Sequence, residues 1–138
     1  MSWLLFAVGS AFFAGITAIL AKIGIQSVPS HLATALRTGV VLVFAWGMVF
    51  LVGSQGDLAQ LTGGDLAWLV LSGLATGASW LCYFRALQAG PASVVVPIDK
   101  LSILVTILFS GLVLKETLSR KAALGLVLIL AGTGAMLL

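Results

Sequence analysis

The sequence predicts an all-α integral membrane protein with five transmembrane helices. Of its 138 residues, 61% are hydrophobic and only 8% are charged. The mean hydropathy of +1.22 lies far above that of soluble domains. The apolar residues fall into five stretches, each close to the roughly 20 residues that cross a bilayer. We therefore expect one transmembrane domain over residues 1–138 and no separate soluble domain.

The five predicted spans cover residues 2–24, 32–53, 66–88, 92–114 and 122–138. The first has no basic leader and is too long for the apolar core of a signal peptide, so we expect a retained helix. Pro29 precedes the second span, and a loop with glycines and aspartates precedes the third. Gly90-Pro91 precedes the fourth span, in which Pro97 predicts a kink that frees a backbone carbonyl near Asp99. The fifth span is rich in glycine, which is typical of helices that pack closely in lipid.

Ionisable residues inside the spans are the strongest functional signal. The fourth span carries Asp99 and Lys100 among fourteen Leu, Ile, Val and Phe residues. Insertion scales give about −4 to −8 kcal/mol for the apolar set and up to about +5 to +7 kcal/mol for a central Asp–Lys pair. Because these terms nearly cancel, the pair is expected to lie off-centre, to be paired, or to line a wet cavity.

Each of the embedded charges has a structural alternative. Lys22, Arg37 and Arg85 lie close enough to the span ends to reach the interface and to act as anchors. The Asp99 side chain is too short for that, so it is expected either to form a salt bridge with Arg85 or Lys22 or to exchange protons during transport. Glu116 is expected to cap or anchor the end of the fourth helix.

Hydroxyl side chains form a polar stripe on two of the predicted helices. On the third span the stripe repeats at i, i+4, i+7 and i+11, as Ser72, Thr76, Ser79 and Tyr83. On the fourth it begins at the Asp99 carboxylate and repeats at i, i+3, i+7 and i+11, as Asp99, Ser102, Thr106 and Ser110. Facing stripes would line a path through the membrane, although hydroxyls also bond across helices as packing contacts. Trp46 and Trp80 lie nearer the middle of their spans than the interfaces where tryptophan concentrates. The candidate cavity residues are Lys22, Trp46, Ser72, Thr76, Ser79, Trp80, Tyr83, Arg85, Asp99, Lys100, Ser102 and Thr106.

Two segments carry a family resemblance. Residues 83–97 read YFRALQAGPASVVVP, and residues 125–132 read GLVLILAG. Together with Lys115-Glu116 between them, they resemble the EamA domain of drug/metabolite transporters. In that domain the third helix ends in an Ala-Leu…Gly-Pro-Ala-Ser turn, the fourth ends at Gly-Glu, and the fifth is glycine-rich. Lys115 stands where such domains more often have glycine. Many members carry two such domains as inverted repeats, so the resemblance implies a half-size member that must assemble.

Charge and small residues also predict assembly. The basic residues divide three against three or four between the two membrane sides, so the preference of Lys and Arg for the inside fixes no orientation. Insertion both ways, giving an antiparallel homodimer, is one solution; one fixed orientation or a separate half-size partner are the others. On the fifth helix Gly125 and Gly132 lie seven residues apart beside Ala135. This face resembles the dimer helix of small multidrug-resistance proteins, with packing inside the chain as the alternative.

The sequence favours transport over catalysis. No metal-ligand cluster, nucleophile–base pair or phosphate-binding loop occurs in it, so neither an enzyme nor a cofactor is expected. The basic residues lie near helix ends instead of in a patch, which disfavours nucleic-acid binding. We predict a secondary transporter, exporter or exchanger, that moves a small organic metabolite by alternating access in a bacterial or archaeal cytoplasmic membrane.

Two alternatives to this prediction stay open. A cation exporter like the small multidrug-resistance proteins would need an acidic residue in the first helix, where this chain has only Lys22. A non-transporting membrane subunit that partners another carrier is the other. The surplus of basic over acidic residues in the spans favours anionic or zwitterionic substrates over simple cations.

Overall fold

The computed structural model describes residues 2–115 and 117–138, and the expected role of Glu116 lies outside this part of the chain. The described elements are helical, which confirms the all-α prediction. They are α1 (Ser2–Gly24), α2 (Ser30–Val52), a 3₁₀ segment (Ser54–Gln60), α3 (Gly63–Ala89), α4 (Ala92–Asp99), α5 (Ser102–Phe109), a π-helical segment (Ser110–Leu114) and α6 (Arg120–Ala135).

Four helical stretches are long and apolar enough to cross a membrane. They are Trp3–Gly24, Ser30–Val52, Gly63–Ala89 and Ala92–Leu114. Helix α6 has 16 residues, or about 24 Å at 1.5 Å per residue, which is less than a hydrocarbon core of about 30 Å. It begins at Arg120, two residues before the predicted span, because the Ser119 hydroxyl accepts from the Ala122 N–H. The fifth crossing stays a prediction.

Helix α3 begins three residues earlier than the sequence predicted because a capping box precedes it. The Thr62 hydroxyl accepts from the Asp65 N–H at 3.2 Å, and an Asp65 carboxylate oxygen accepts from the Thr62 N–H at 3.1 Å. These bonds satisfy N–H groups that the first turn leaves without a helical partner. Gly63 and Gly64 therefore lie inside the helix instead of in the predicted loop.

The connection between α2 and α3 is more regular than the predicted loop. Helix α2 ends at Gly53, whose φ of +78° places it in the left-handed region that glycine adopts without a steric penalty. Its N–H donates to the carbonyls of Val49 and Phe50. The chain then forms the 3₁₀ segment Ser54–Gln60 before the capping box of α3.

The predicted fourth span is divided into three pieces. Helix α4 ends at Asp99, and α5 begins at Ser102. Around this break the backbone uses shorter-range bonds, from the Leu101 N–H to the Ile98 carbonyl at 2.9 Å and from the Leu104 N–H to the Leu101 carbonyl at 2.9 Å. Such 3₁₀ bonding inside an α-helix often marks a hinge. The interruption lies three to four residues beyond Pro97, the residue that predicted a kink.

The chain forms two compact units. One combines the residues up to Ala18 with Gly90–Leu138, and the other is Ile19–Ala89. In the first unit α4 contacts α6, and in the second α2 packs against α3. The buried residues of the second unit are Ile25, Thr34, Phe84 and Leu87. Its core therefore lies where α2 begins and α3 ends.

Candidate functional site

The last three turns of α3 present one face to the core of the unit Ile19–Ala89. Trp80, Phe84, Leu87 and Gln88 follow at i, i+4, i+7 and i+8, a spacing that places them on one side of the helix. Phe84 and Leu87 are 2% and 0% exposed, and Trp80 and Gln88 are half-buried. This face contacts the end of α1, the connection after it and the first turns of α2, as the following contacts show.

Arg37 of α2 stacks on this face. Its guanidinium carbon lies 4.6 Å from the centroid of the Trp80 ring and 5.2 Å from that of Phe84. At these distances the positive charge interacts with the ring quadrupoles, an attraction of about 0.5–2 kcal/mol that grows as water is excluded. Stacking uses the flat face of a guanidinium and leaves its N–H edges able to donate hydrogen bonds.

Gln88 links the end of α3 to the connection between α1 and α2. Its amide nitrogen donates to the Ile25 carbonyl at 3.1 Å and to the Val28 carbonyl at 2.9 Å. Its amide oxygen accepts from an Arg85 guanidinium nitrogen at 3.2 Å. The same side chain therefore satisfies two carbonyls of the connection and orients Arg85.

Lys22, at the end of α1, reaches the same place. Its ammonium group donates to the Leu87 carbonyl in the last turn of α3. A helix C-terminus carries a partial negative charge of about −0.5 on its free carbonyls, so a cation is stabilised there. This contact accounts for a lysine near the end of a membrane helix without any substrate.

Three cations thus meet one short stretch of helix. The contacts of Lys22, Arg37 and Arg85 all fall between residues 80 and 88 of α3, a length of about 12 Å. The acids of the same unit are Asp57 and Asp65. Both lie at the other end of the helix pair, in the 3₁₀ segment and the first turn of α3. The positive charge at this end is therefore concentrated in space and distant from the unit's carboxylates.

The unit Ile19–Ala89 brings together some of the residues that the sequence predicted for a cavity and separates others. Lys22 contacts the end of α3, and Trp80 and Arg85 belong to that part of α3. Trp46 lies further along α2, where its ring is 6.1 Å from that of Phe50. Ser72, Thr76 and Ser79 lie on earlier turns of α3 and are exposed. The Tyr83 ring packs edge-on against Phe84 at 6.0 Å.

The threonines of both stripes bond within their own helices. Thr76 donates to the Ser72 carbonyl at 2.9 Å, and Thr106 donates to the Ser102 carbonyl at 3.1 Å. Threonine side chains in helices commonly donate to the carbonyl four residues earlier. Hydrogen bonds within one helix neither link two helices nor indicate a polar path through the membrane, so the facing stripes stay a prediction.

Asp99 lies in the other unit and has its ion-pair partner beside it. An Asp99 carboxylate oxygen is 3.7 Å from the Lys100 ammonium nitrogen, with the two side chains 36% and 60% exposed. A pair this exposed contributes little to stability. The expected salt bridge from Asp99 to Arg85 or Lys22 stays a prediction.

In the same unit, Thr106 and Ser110 line an open groove of about 570 Å³ beside the π-helical segment, with Gly111 and Thr117.

Three residues of the site at the end of α3 were not among the predicted cavity residues. For Arg37 the sequence predicts an anchor, and for Phe84 and Gln88 it predicts no role. The signals were the position of Arg37 seven residues into α2, the off-belt Trp80, and a glutamine three residues after Arg85 on an otherwise apolar helix. Phe84 had none, because a phenylalanine facing lipid and one facing a guanidinium look alike in sequence.

The small-residue face predicted on the fifth helix is open in the single chain. A methyl group added at Gly125 or at Gly132 would meet no described atom within 4 Å. Gly132 and Ala135 are exposed. Among the described residues, no group of three or more His, Cys, Asp or Glu side chains is placed to bind a metal ion.

Comparison with known proteins identifies the family. The chain matches the EamA-like transporter family over residues 1–138. It is 44% identical over 131 residues to an "Uncharacterized transporter in cobO 3'region" of Sinorhizobium sp, with 95% of this chain and 93% of the relative covered. It is 38% identical over 85 residues to a probable 4-amino-4-deoxy-L-arabinose-phosphoundecaprenol flippase subunit, ArnE, of Erwinia tasmaniensis, with 59% of this chain and 79% of the relative covered.

No solved structure matches the chain significantly. The family match nevertheless covers every residue, and the Sinorhizobium relative is similar over almost the whole chain. The resemblance drawn from residues 83–97 and 125–132 is thereby confirmed. The chain belongs to the EamA-like transporter family and is an integral membrane transporter.

Proposed function

We propose that the chain is one half of a small secondary transporter that moves a small organic metabolite across a bacterial cytoplasmic membrane by alternating access. The observation that carries this proposal is the site at the end of α3, where the contacts of Lys22, Arg37 and Arg85 fall on one short stretch of an apolar helix. Ionisable groups in membrane segments are costly and are retained mainly where they bind or move a solute. The bacterial origin of both relatives supports the location.

Transport is tested with purified protein in liposomes. Vesicles preloaded with one candidate solute are diluted into the labelled form of the same solute, and exchange is followed over time. The candidates are an amino acid, a dicarboxylate, a sugar phosphate and a quaternary ammonium compound, each with and without a pH gradient. We expect saturable exchange of at least one solute above protein-free vesicles. Exchange of the ammonium compound alone would instead support the cation exporter, and no exchange of any solute class would contradict a transporter that this chain forms without another subunit.

We further propose that two copies in opposite orientations form the working unit, with α6 as the fifth crossing and part of the interface. Its 16 residues would require some thinning of the bilayer or flanking residues that extend the apolar length. The open, exposed surface at Gly132 and Ala135 supports a contact with another chain, because small residues let helix backbones approach closely.

A matched pair of substitutions tests this interface. Gly132 and Gly134 are both on α6, and an added side-chain carbon meets no described atom at either. They lie about 200° apart around the helix, at 100° per residue. We expect Gly132→Leu to reduce cross-linked dimer and Gly134→Leu to leave it unchanged, measured in membranes and by gel filtration. Equal amounts of dimer in both variants would remove this face of α6 from the interface.

A partner other than a second copy is the alternative that a specific observation favours. The Erwinia relative is described as a flippase subunit. If this chain is likewise a subunit that needs a different chain, the purified protein would be inactive in liposomes and would gain exchange when that partner is added. Activity and cross-linked dimer from the single purified chain would exclude that arrangement.

A further inference from the structure

We propose that Arg37 binds the anionic group of the transported substrate, a carboxylate or a phosphate, at the end of α3. This inference rests on the proposed function, because it assigns a ligand class to the same site. It comes from the stacking of Arg37 on Trp80 and Phe84 and from the charges gathered around it.

The stacked geometry prepares Arg37 for an oxyanion. The guanidinium carbon lies over the rings of Trp80 and Phe84, and Phe84 is itself buried, so the ring that positions Arg37 is fixed. The N–H groups of a guanidinium point outward in its plane, where they match two oxygens of a carboxylate or phosphate. Arg37 is only half-buried, so these edges are within reach of a solute. Holding the side chain in advance lowers the entropy cost of binding.

The charge balance favours an anion over a cation. Three positive charges, those of Lys22, Arg37 and Arg85, have their contacts along about 12 Å of the length of α3. The opposing partial charge at the helix end is only about −0.5. Asp65, in the first turn of α3, lies about 22 Å from Trp80 along the helix. At that separation two unit charges interact by only about 0.8 kcal/mol at an effective dielectric constant of about 20, against about 4 kcal/mol at about 4 Å. The carboxylates of this unit therefore do little to neutralise the site.

An interfacial anchor is the competing explanation for Arg37. An anchor extends its charge into water, and lysine serves as well as arginine in that role. Here the guanidinium lies against two rings of the neighbouring helix instead of extending away from them. An anion site requires the planar guanidinium, and its environment changes when anions are added. An anchor does not require a planar group and does not respond to added anions. These two properties decide the test.

Trp80 provides a direct reading of binding. The chain has four tryptophans, so Trp3, Trp46 and Trp68 are replaced by Phe to leave Trp80 as the single reporter in nanodiscs of phosphatidylcholine. The probes are inorganic phosphate, glycerol 3-phosphate and succinate, with tetramethylammonium chloride as a cation of matched ionic strength. We expect at least one anion, and not the cation, to change Trp80 emission saturably. The apparent affinity should fall at least tenfold in Arg37→Gln and severalfold in Arg37→Lys. Arg120→Gln, the same change at the start of α6, should leave it unaltered.

A second arm identifies the source of the oxyanion. Nanodiscs containing phosphatidylglycerol are compared with those of phosphatidylcholine alone. An emission change that depends on Arg37 and appears only with the anionic lipid would also support the site, with a lipid headgroup as its ligand. The proposal would be overturned if Trp80 emission changed with no soluble anion and not with the anionic lipid. It would also be overturned if Arg37→Gln gave the same emission change as the wild-type protein.

Liposome exchange separates this inference from the proposed function. Exchange of a solute that is unaffected in Arg37→Gln and Arg37→Lys would leave the transporter standing and remove Arg37 as its anion-binding residue. Folding of each variant is checked by gel filtration and by thermal unfolding. Arg37→Lys keeps the charge, so it tests the planar group even if Arg37→Gln fails to fold.

Discussion

Asp99 differs from Lys22, Arg37 and Arg85 because it forms an ion pair with the residue that follows it in sequence, Lys100. The pair with Lys100, at 3.7 Å, is partly exposed and lies where α4 ends, at the break before α5. Since such a pair adds little stability, we interpret the carboxylate as functional, through pairing with a basic residue during transport or through proton exchange.

Asp99→Asn tests this interpretation, because it removes the charge and nearly preserves the shape. We expect exchange in liposomes to fall well below half of the wild-type rate while membrane insertion and folding are kept. Asp57→Asn, the same change in the 3₁₀ segment, should keep the wild-type rate. Full activity of Asp99→Asn would show that neither pairing nor proton exchange at this position matters.

Lys115 occupies a backbone conformation that suits glycine. Its φ of +55° lies in the left-handed region, which costs a residue with a Cβ atom about 1 kcal/mol relative to glycine. This agrees with the glycine that the family more often has before the glutamate. We expect Lys115→Gly to raise the melting temperature in detergent by the equivalent of about 1 kcal/mol. Lys121→Gly, inside the first turn of α6, should lower it by about the same amount. A lower melting temperature for Lys115→Gly would contradict the strain.

Among single residues, the sequence indicates charged side chains more readily than their surroundings. Lys22 and Arg85 were predicted because a charge in an apolar helix is conspicuous, and both are at the end of α3. Phe84 and Gln88 were missed because their roles depend on which face of α3 meets α2. The polar stripe of α3 does not mark that face, since its Ser72, Thr76 and Ser79 are exposed.

At the scale of the element, residues near each helix end predict where the helix starts and stops. Each of the first three predicted spans starts and ends within three residues of the observed helix, because Pro29, Gly53 and the capping residues act within one turn. The break between α4 and α5 was not predicted at its observed place. A proline disrupts the turn that precedes it, whereas the 3₁₀ bonds here follow Pro97.

Gln88 connects the end of α3 to the segment between α1 and α2, so its replacement should lower the stability of the fold. In Gln88→Leu a side chain of similar size replaces the amide, and the Ile25 and Val28 carbonyls lose a donor. A buried acceptor left without a partner costs about 1–3 kcal/mol, so we expect the unfolding transition to shift downward by that amount. Gln55→Leu, in the exposed 3₁₀ segment, is the matched control and should shift it by less than about 0.5 kcal/mol. Equal transitions for the two variants would show that the Gln88 bonds do not hold α3 to the connection.

Orientation in the membrane belongs to the whole molecule. The near-equal division of basic residues predicts that both orientations are inserted. In a Cys82→Ala background, cysteines placed at Ser54 and at Gln26 lie on opposite sides of the predicted spans. We expect an impermeant reagent to label about half of the molecules at each site in intact cells. Labelling of all molecules at one site and none at the other would establish a single orientation and exclude the antiparallel homodimer.

The small buried core also determines what this subunit's stability depends on. Among the described hydrophobic residues, the buried ones are Ala18, Ile25, Phe84 and Leu87, whereas side chains such as Leu5 and Phe6 are more than three-quarters exposed. Packing inside the chain therefore supplies a minor share of its cohesion, and lipid supplies the rest, together with the second copy in the proposed dimer. An association within the bilayer obeys mass action in the mole fraction of protein to lipid. Diluting the reconstituted protein with excess lipid should consequently weaken both its dimer and its resistance to unfolding, in parallel and reversibly.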